Sequence, residues 1–149
     1  MTSNFQQIKL LYLSLLVAQL IFAVVILMTT GIPRHFGKLA PDDLYLLLGI
    51  LLSFGSIFTA NWINHQRKGL VNRMDALPEK LMHYRSLVII RSALVEGANI
   101  MTLTFALLTG QGFFYIIFVA GFLAFLYFRP SKREFSEDYD ISPTDMKGV

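Results

Sequence analysis

The chain has 149 residues, of which 54% are hydrophobic and 15% charged, with a formal net charge of +3. A soluble domain carries about 45–50% apolar and about 25% charged residues, and here the apolar excess is gathered into long runs, which excludes an ordinary soluble domain and points to a membrane. Cysteine is absent, so disulfides, thiolate nucleophiles and thiolate metal sites are excluded.

The first run, Ile8 to Gly31, is interrupted mainly by Lys9 near its start and Gln19 in its middle. A transmembrane helix needs roughly 20 apolar residues, whereas the core of a cleaved leader has about 7–15. Met28-Thr29-Thr30-Gly31 is also a poor cleavage site, so the run reads as an anchor. Residues 31–43, with Gly31, Pro33, Pro41, Asp42 and Asp43, read as a loop in which either aspartate can cap the next helix. That helix is expected over 44–64. Its Gly49, Ser53, Ser56 and Ala60 form a stripe of small side chains that allows close helix approach, and Trp62 suits the membrane–water boundary.

A basic loop over residues 64–86 follows, and Pro78-Glu79 opens a third helix over 79–109. Proline fits the first helical position, and an acid in the first turn suits the helix dipole. Gly110-Gln111-Gly112 reads as a tight turn, and a fourth helix over 112–128, rich in Phe and Tyr, is ended by Pro130. The expected architecture is all-α: an integral membrane four-helix bundle over residues 1–130. A polar tail over 131–149 reads as solvated and partly disordered, or as a docking segment for a partner.

Orientation follows from the basic residues. Arg67, Lys68, Arg73, Lys80 and Arg85 crowd the second loop, and Arg129, Lys132 and Arg133 follow the last run. The first loop holds only Arg34 and Lys38, and the third holds none. Positive loops stay inside, which places both termini and the second loop in the cytoplasm and the chain in an inner membrane. These clusters adjoin apolar segments rather than forming a basic face on a soluble module, so no nucleic acid partner is expected.

Two ionisable residues stand inside the third run. Glu96 lies about ten residues from the cytoplasmic boundary, roughly 15 Å deep and near the midplane. Such a charge costs at least about 2.5–3.5 kcal/mol, so the carboxyl is neutral or compensated. Ser92, Glu96 and Asn99 share one helix face. Counting depth along the other helices brings Gln19, Ser53 and Ser56 to the same level, and a midplane polar cluster of these six residues is expected. Three readings stay open for it: glue between helices, ion or proton binding, and a ligand or lipid pocket. Arg91 is shallower. It either snorkels to the headgroups or is the charge partner of Glu96 across a helix or subunit boundary.

His35, His65 and His83 fall in loops without a zinc-site spacing, and no phosphate loop, G-x-S-x-G or H-E-x-x-H is present. Neither an enzyme, a metal nor a cofactor is expected. The partners expected are the lipid bilayer and, because midplane polar groups should avoid lipid, a homo-oligomer or another membrane protein.

The stretch from Pro78-Glu79 to Leu108, with Ala93-Leu94-Val95-Glu96-Gly97-Ala98 inside it, resembles the second helix of ATP synthase subunit c. In that family a Pro-acid pair closes a cytoplasmic loop and an ion-carrying carboxylate follows at mid-membrane. The resemblance implies that Glu96 is the carrier. It spans at most residues 44–110, and the family's Gly-x-Gly repeat is represented here only by Gly49 and Gly55. The segments IIRSALVEGAN and RPSKREFSEDYDIS also make the whole chain similar to small four-helix membrane proteins of Bacteroidota, a group that brings no established activity with it. The role implied is a structural or accessory membrane protein, with a subunit-c-like proton or ion carrier as the alternative.

Overall fold

Leu77 to Thr109 is the longest stretch compatible with one unbroken helix, and the reasons are local. Pro78 occupies its first turn beside Glu79, and Gly110 closes it at φ 66°, donating its N–H to the Ala106 carbonyl. A left-handed residue at that position is easiest for glycine, which lacks the Cβ that would clash. The computed structural model describes residues 4–31, 43–68 and 76–142. These form five helices: α1 (Asn4–Thr30), α2 (Leu44–Lys68), α3 (Leu77–Thr109), α4 (Phe113–Tyr127) and α5 (Lys132–Tyr139).

The helix α3 is the hub. It packs against α1, α2 and α4, and α2 packs also against α4. Within its most apolar window 56% of α3 is buried, against 22% for α1 and for α2, so the outer two present most of their apolar surface outward. Leu13, Met28, Leu51, Phe54 and Phe58 are among the exposed residues. A helix that is apolar on all sides yet mostly uncovered is suited to lipid rather than water.

Three of the helices are long and apolar enough to cross a membrane, and α4 with α5 makes a fourth if the pair, bent by 62°, is counted as one span. Both α2 and α3 run further into the basic stretch than expected, leaving only residues 69–76 between them. Glutamine, lysine and arginine are good helix formers, and nothing obliges a helix to end at the edge of its apolar run.

Contacts at the two ends fix the alternation of direction. At the far end, Thr30 of α1 shares a 2.8 Å hydrogen bond with Tyr115 of α4. There too, Gln111 in the turn before α4 donates to Asp43 ahead of α2 at 3.0 Å. At the N-terminal end, Phe5 of α1, Tyr84 of α3 and Phe135 of α5 form one aromatic cluster. Between these ends Tyr12 stacks on Phe125 at 4.7 Å and donates to its carbonyl at 2.8 Å, tying α1 to α4.

The expected loop residues Arg34, His35, Lys38, Asp42 and Arg73 lie outside the described residues, as does the tail from 143 to 149. The first part of that tail is α5. Ser131 caps it by accepting the Glu134 N–H, and Phe135, Tyr139 and Ile141 are buried against α1 and α3. Outside hydrocarbon, removing such side chains from water stabilises by about 1.5–3 kcal/mol each, enough to hold a short helix in place.

Candidate functional site

The polar residues of the spans fall into three groups. In the first, Asn99 of α3 donates through Nδ2 to Oε1 of Gln19 on α1 at 2.9 Å, and both side chains are fully buried. The opposite helix makes room for them. A Cβ at Gly121 of α4 would overlap Asn99 Oδ1, so any larger residue there would force the Asn99 amide to shift from its bond with Gln19. Gln19 Nε2 and Asn99 Oδ1 themselves have no hydrogen-bond partner among the described residues.

The second group joins α2 to α3. Ser53 and Thr102 share a 3.2 Å hydrogen bond, Thr102 also donates to the Ala98 carbonyl, and Ser56 donates to the Ser53 carbonyl. Thr102 stands three residues beyond Asn99, and the same spacing of three or four that selected Ser92, Glu96 and Asn99 could have found it.

Glu96 and Ser92 lie beside these links. Glu96 is 8% exposed and makes no hydrogen bond or ion pair with any described residue. The Ser92 hydroxyl is buried without a partner among the described residues. By helical phase Glu96 shares the flank of α3 that carries Asn99 and Leu103, the residues that meet Gln19 and Ala23 of α1. Of the six residues expected at the midplane, Gln19 and Asn99 are therefore bonded to each other. Ser53 and Ser56 belong to a separate link, and Glu96 and Ser92 are bonded to neither.

Arg91 belongs to a third group at the N-terminal end. It is 1% exposed, so it does not snorkel, and its partner is Glu134 of α5 rather than Glu96. The pair is bidentate: Nη1 donates to Oε1 at 2.5 Å and Nη2 to Oε2 at 2.9 Å. Its guanidinium also stands 5.8 Å from the Phe128 ring centroid. Tyr84 donates to Glu134 Oε2 at 2.7 Å and accepts the Ser131 N–H at 3.2 Å.

The motif Ser131-x-x-Glu134 is a capping box in sequence, in which the glutamate would turn back to the Ser131 N–H. Here the carboxylate is diverted to Arg91, and Tyr84 receives that N–H instead. The capping box and the i,i+4 pair Phe135 and Tyr139 were the available signals that the tail forms a packed helix. Further along α5, the Tyr139 hydroxyl shares a 2.7 Å hydrogen bond with His83 Nδ1, and Lys80 Nζ donates to the Tyr139 carbonyl at 3.2 Å.

Outside the spans, Asp43 caps α2. It accepts the N–H groups of Tyr45 and Leu46 on Oδ1 and the Gln111 amide on Oδ2. The Gln111 bond first, then the backbone donors, hold its carboxyl below the ordinary aspartate range.

Among the described residues no three His, Asp or Glu side chains gather in a way that could hold a metal ion. Comparison with protein-family models, with curated proteins and with solved structures finds no match to this chain.

Proposed function

We propose that the chain is a small integral inner-membrane protein of four spans, cytoplasmic at both ends, with a structural or accessory role. Its helices are joined at mid-membrane by polar side chains around Glu96. The observation that carries this reading is the Gln19–Asn99 hydrogen bond, sealed by Gly121. Within hydrocarbon the hydrophobic effect does not draw helices together, so close packing and interhelical hydrogen bonds must do so. Each such bond contributes about 0.6–2 kcal/mol. The cationic side chains Lys9, Arg85, Arg129 and Lys132 at the N-terminal end support the orientation.

The test is replacement of the joint. Asn99→Leu should lower the unfolding temperature in detergent, and Gln19→Leu should do the same. The two together should cost less than their sum, because each removes the same bond. Strictly additive losses would remove the reading.

A second reading, a proton or ion carrier based on Glu96, is favoured by one specific observation. Arg91 is committed to Glu134, so the Glu96 carboxyl has no cation among the described residues to hold it ionised. A carbodiimide attacks protonated carboxyls in apolar surroundings. Labelling of Glu96 that increases as pH falls supports the carrier, and absence of labelling at every pH removes it.

A further inference from the structure

We propose that the seam between α1 and α3 at the N-terminal end is a binding site for an anionic phospholipid, with Arg85 on the phosphate and an acyl chain lying along α1. The inference rests on the membrane placement proposed above.

Two adjoining hollows lie on this seam, of about 490 Å³ and about 200 Å³, and Gln7 and Arg85 line both. The larger continues along α1 past Leu10 and Leu11 to Ser14. From Gln7 to Ser14 the helix rises by roughly 10 Å, which carries the groove from the headgroup level into hydrocarbon. Its walls are polar and cationic at the mouth and mainly apolar beyond, at Leu10 and Leu11, with the Ser14 hydroxyl turned back to the Leu11 carbonyl at the far end. This is the order of chemistry along a phospholipid from phosphate to acyl chain.

Charge selects the headgroup. Arg85 is exposed and makes no ion pair with any described residue, whereas Arg91 and Arg133 are taken by Glu134 and Glu137. Among the described residues no acidic side chain lines either hollow. Lys9 and Lys132 stand 5.4 and 5.7 Å from the Phe5 ring centroid, adding two cations at the same end. A guanidinium without a carboxylate, set at the depth of the phosphates, is matched by a phosphodiester, which it can bind through two parallel hydrogen bonds. A zwitterionic headgroup brings its own ammonium into this cationic field and is disfavoured.

The experiment uses the full chain in a mild detergent, with native mass spectrometry reading bound lipid. The probes are phosphatidylglycerol, phosphatidylcholine of the same acyl chains, and inorganic phosphate. The expected result is retention of phosphatidylglycerol over phosphatidylcholine, without displacement by inorganic phosphate. Arg85→Gln should weaken phosphatidylglycerol binding about fivefold, the worth of one cation near the membrane surface. Arg85→Lys should retain most of it. Arg133→Gln, at an exposed cation already paired, should bind as wild type. Leu10→Trp, which fills the groove from an exposed position, should displace both lipids.

Equal binding of the two lipids, competition by inorganic phosphate, or unchanged binding in Arg85→Gln overturns the site. Release of the chain from membranes by alkaline carbonate would overturn the membrane placement and the site with it. Loss of lipid selectivity in a chain that stays embedded overturns the site alone.

Discussion

Glu134, on a short helix beyond the last apolar run, grips both terminal nitrogens of Arg91, which lies inside the third run. The two are 43 residues apart in sequence. Their pairing settles the tail against the N-terminal end of the spans. It also removes the cation of α3 nearest in sequence to Glu96 from competition for that carboxyl.

The pair should respond asymmetrically to truncation. Glu134→Ala leaves a guanidinium that is 1% exposed without its carboxylate, and a loss of about 3–5 kcal/mol is expected. Arg91→Met should cost less, because Glu134 is 25% exposed and water can solvate it. Replacing both with apolar residues of similar volume should recover much of the loss. Unfolding in detergent of the two single variants and the double measures this. Equal single losses with no recovery would contradict a buried pair.

Tyr84→Phe removes the donor to Glu134 and strands the Ser131 N–H at the start of α5. The expected cost is about 1–3 kcal/mol, concentrated at this helix rather than spread over the spans. Trypsin cutting after Lys132 and Arg133 should therefore accelerate in the variant while the spans stay intact. Unchanged cleavage would show that the hydroxyl does not hold α5.

Gly121→Ala drives a methyl into Asn99 Oδ1. Overpacking of this kind costs about 1–3 kcal/mol. Shortening the neighbour, as in Gly121→Ala with Asn99→Ala, should relieve the clash while losing the bond to Gln19. Melting temperatures of the two singles and the double read the coupling, and a simple sum of the single losses would place Gly121 and Asn99 out of contact.

The Asp43 cap carries a pH dependence of known sign. Because its folded carboxyl is held below the ordinary aspartate value, ionisation stabilises the fold above about pH 4, and that contribution is lost as pH falls through the lowered value. Asn at the same position still caps but cannot ionise. The stability difference between the chain and Asp43→Asn should thus be constant near neutrality and shrink below about pH 4. Denaturation at pH 3 and pH 7 measures it, and a gap that widens in acid would reverse the assignment.

Much of the fold was legible because lipid-suited helices announce themselves locally. The apolar runs, Pro78-Glu79, the Gly110 turn and Pro130 lie within a few residues of the boundaries they set. Depth counting also brought Gln19 and Asn99 to one level, since a rise of about 1.5 Å per residue converts position into depth. It did not say which polar groups would face each other. Ser53 met Thr102, six residues and roughly 9 Å beyond the Glu96 level, because α2 and α3 extend past the boundaries from which depth is counted.

What the sequence by itself determined was an all-helical chain with long apolar helices, three of them or four with the bent α4–α5 pair, and the few polar residues within them. Both follow from properties that each residue carries alone, namely hydropathy, backbone preference and charge. Only the tertiary structure decided that Arg91 belongs to Glu134, that Tyr84 takes the Ser131 N–H, and that Gly121 lies against the Asn99 amide. Each of those depends on the relative rotation and approach of two helices, quantities that no single segment encodes.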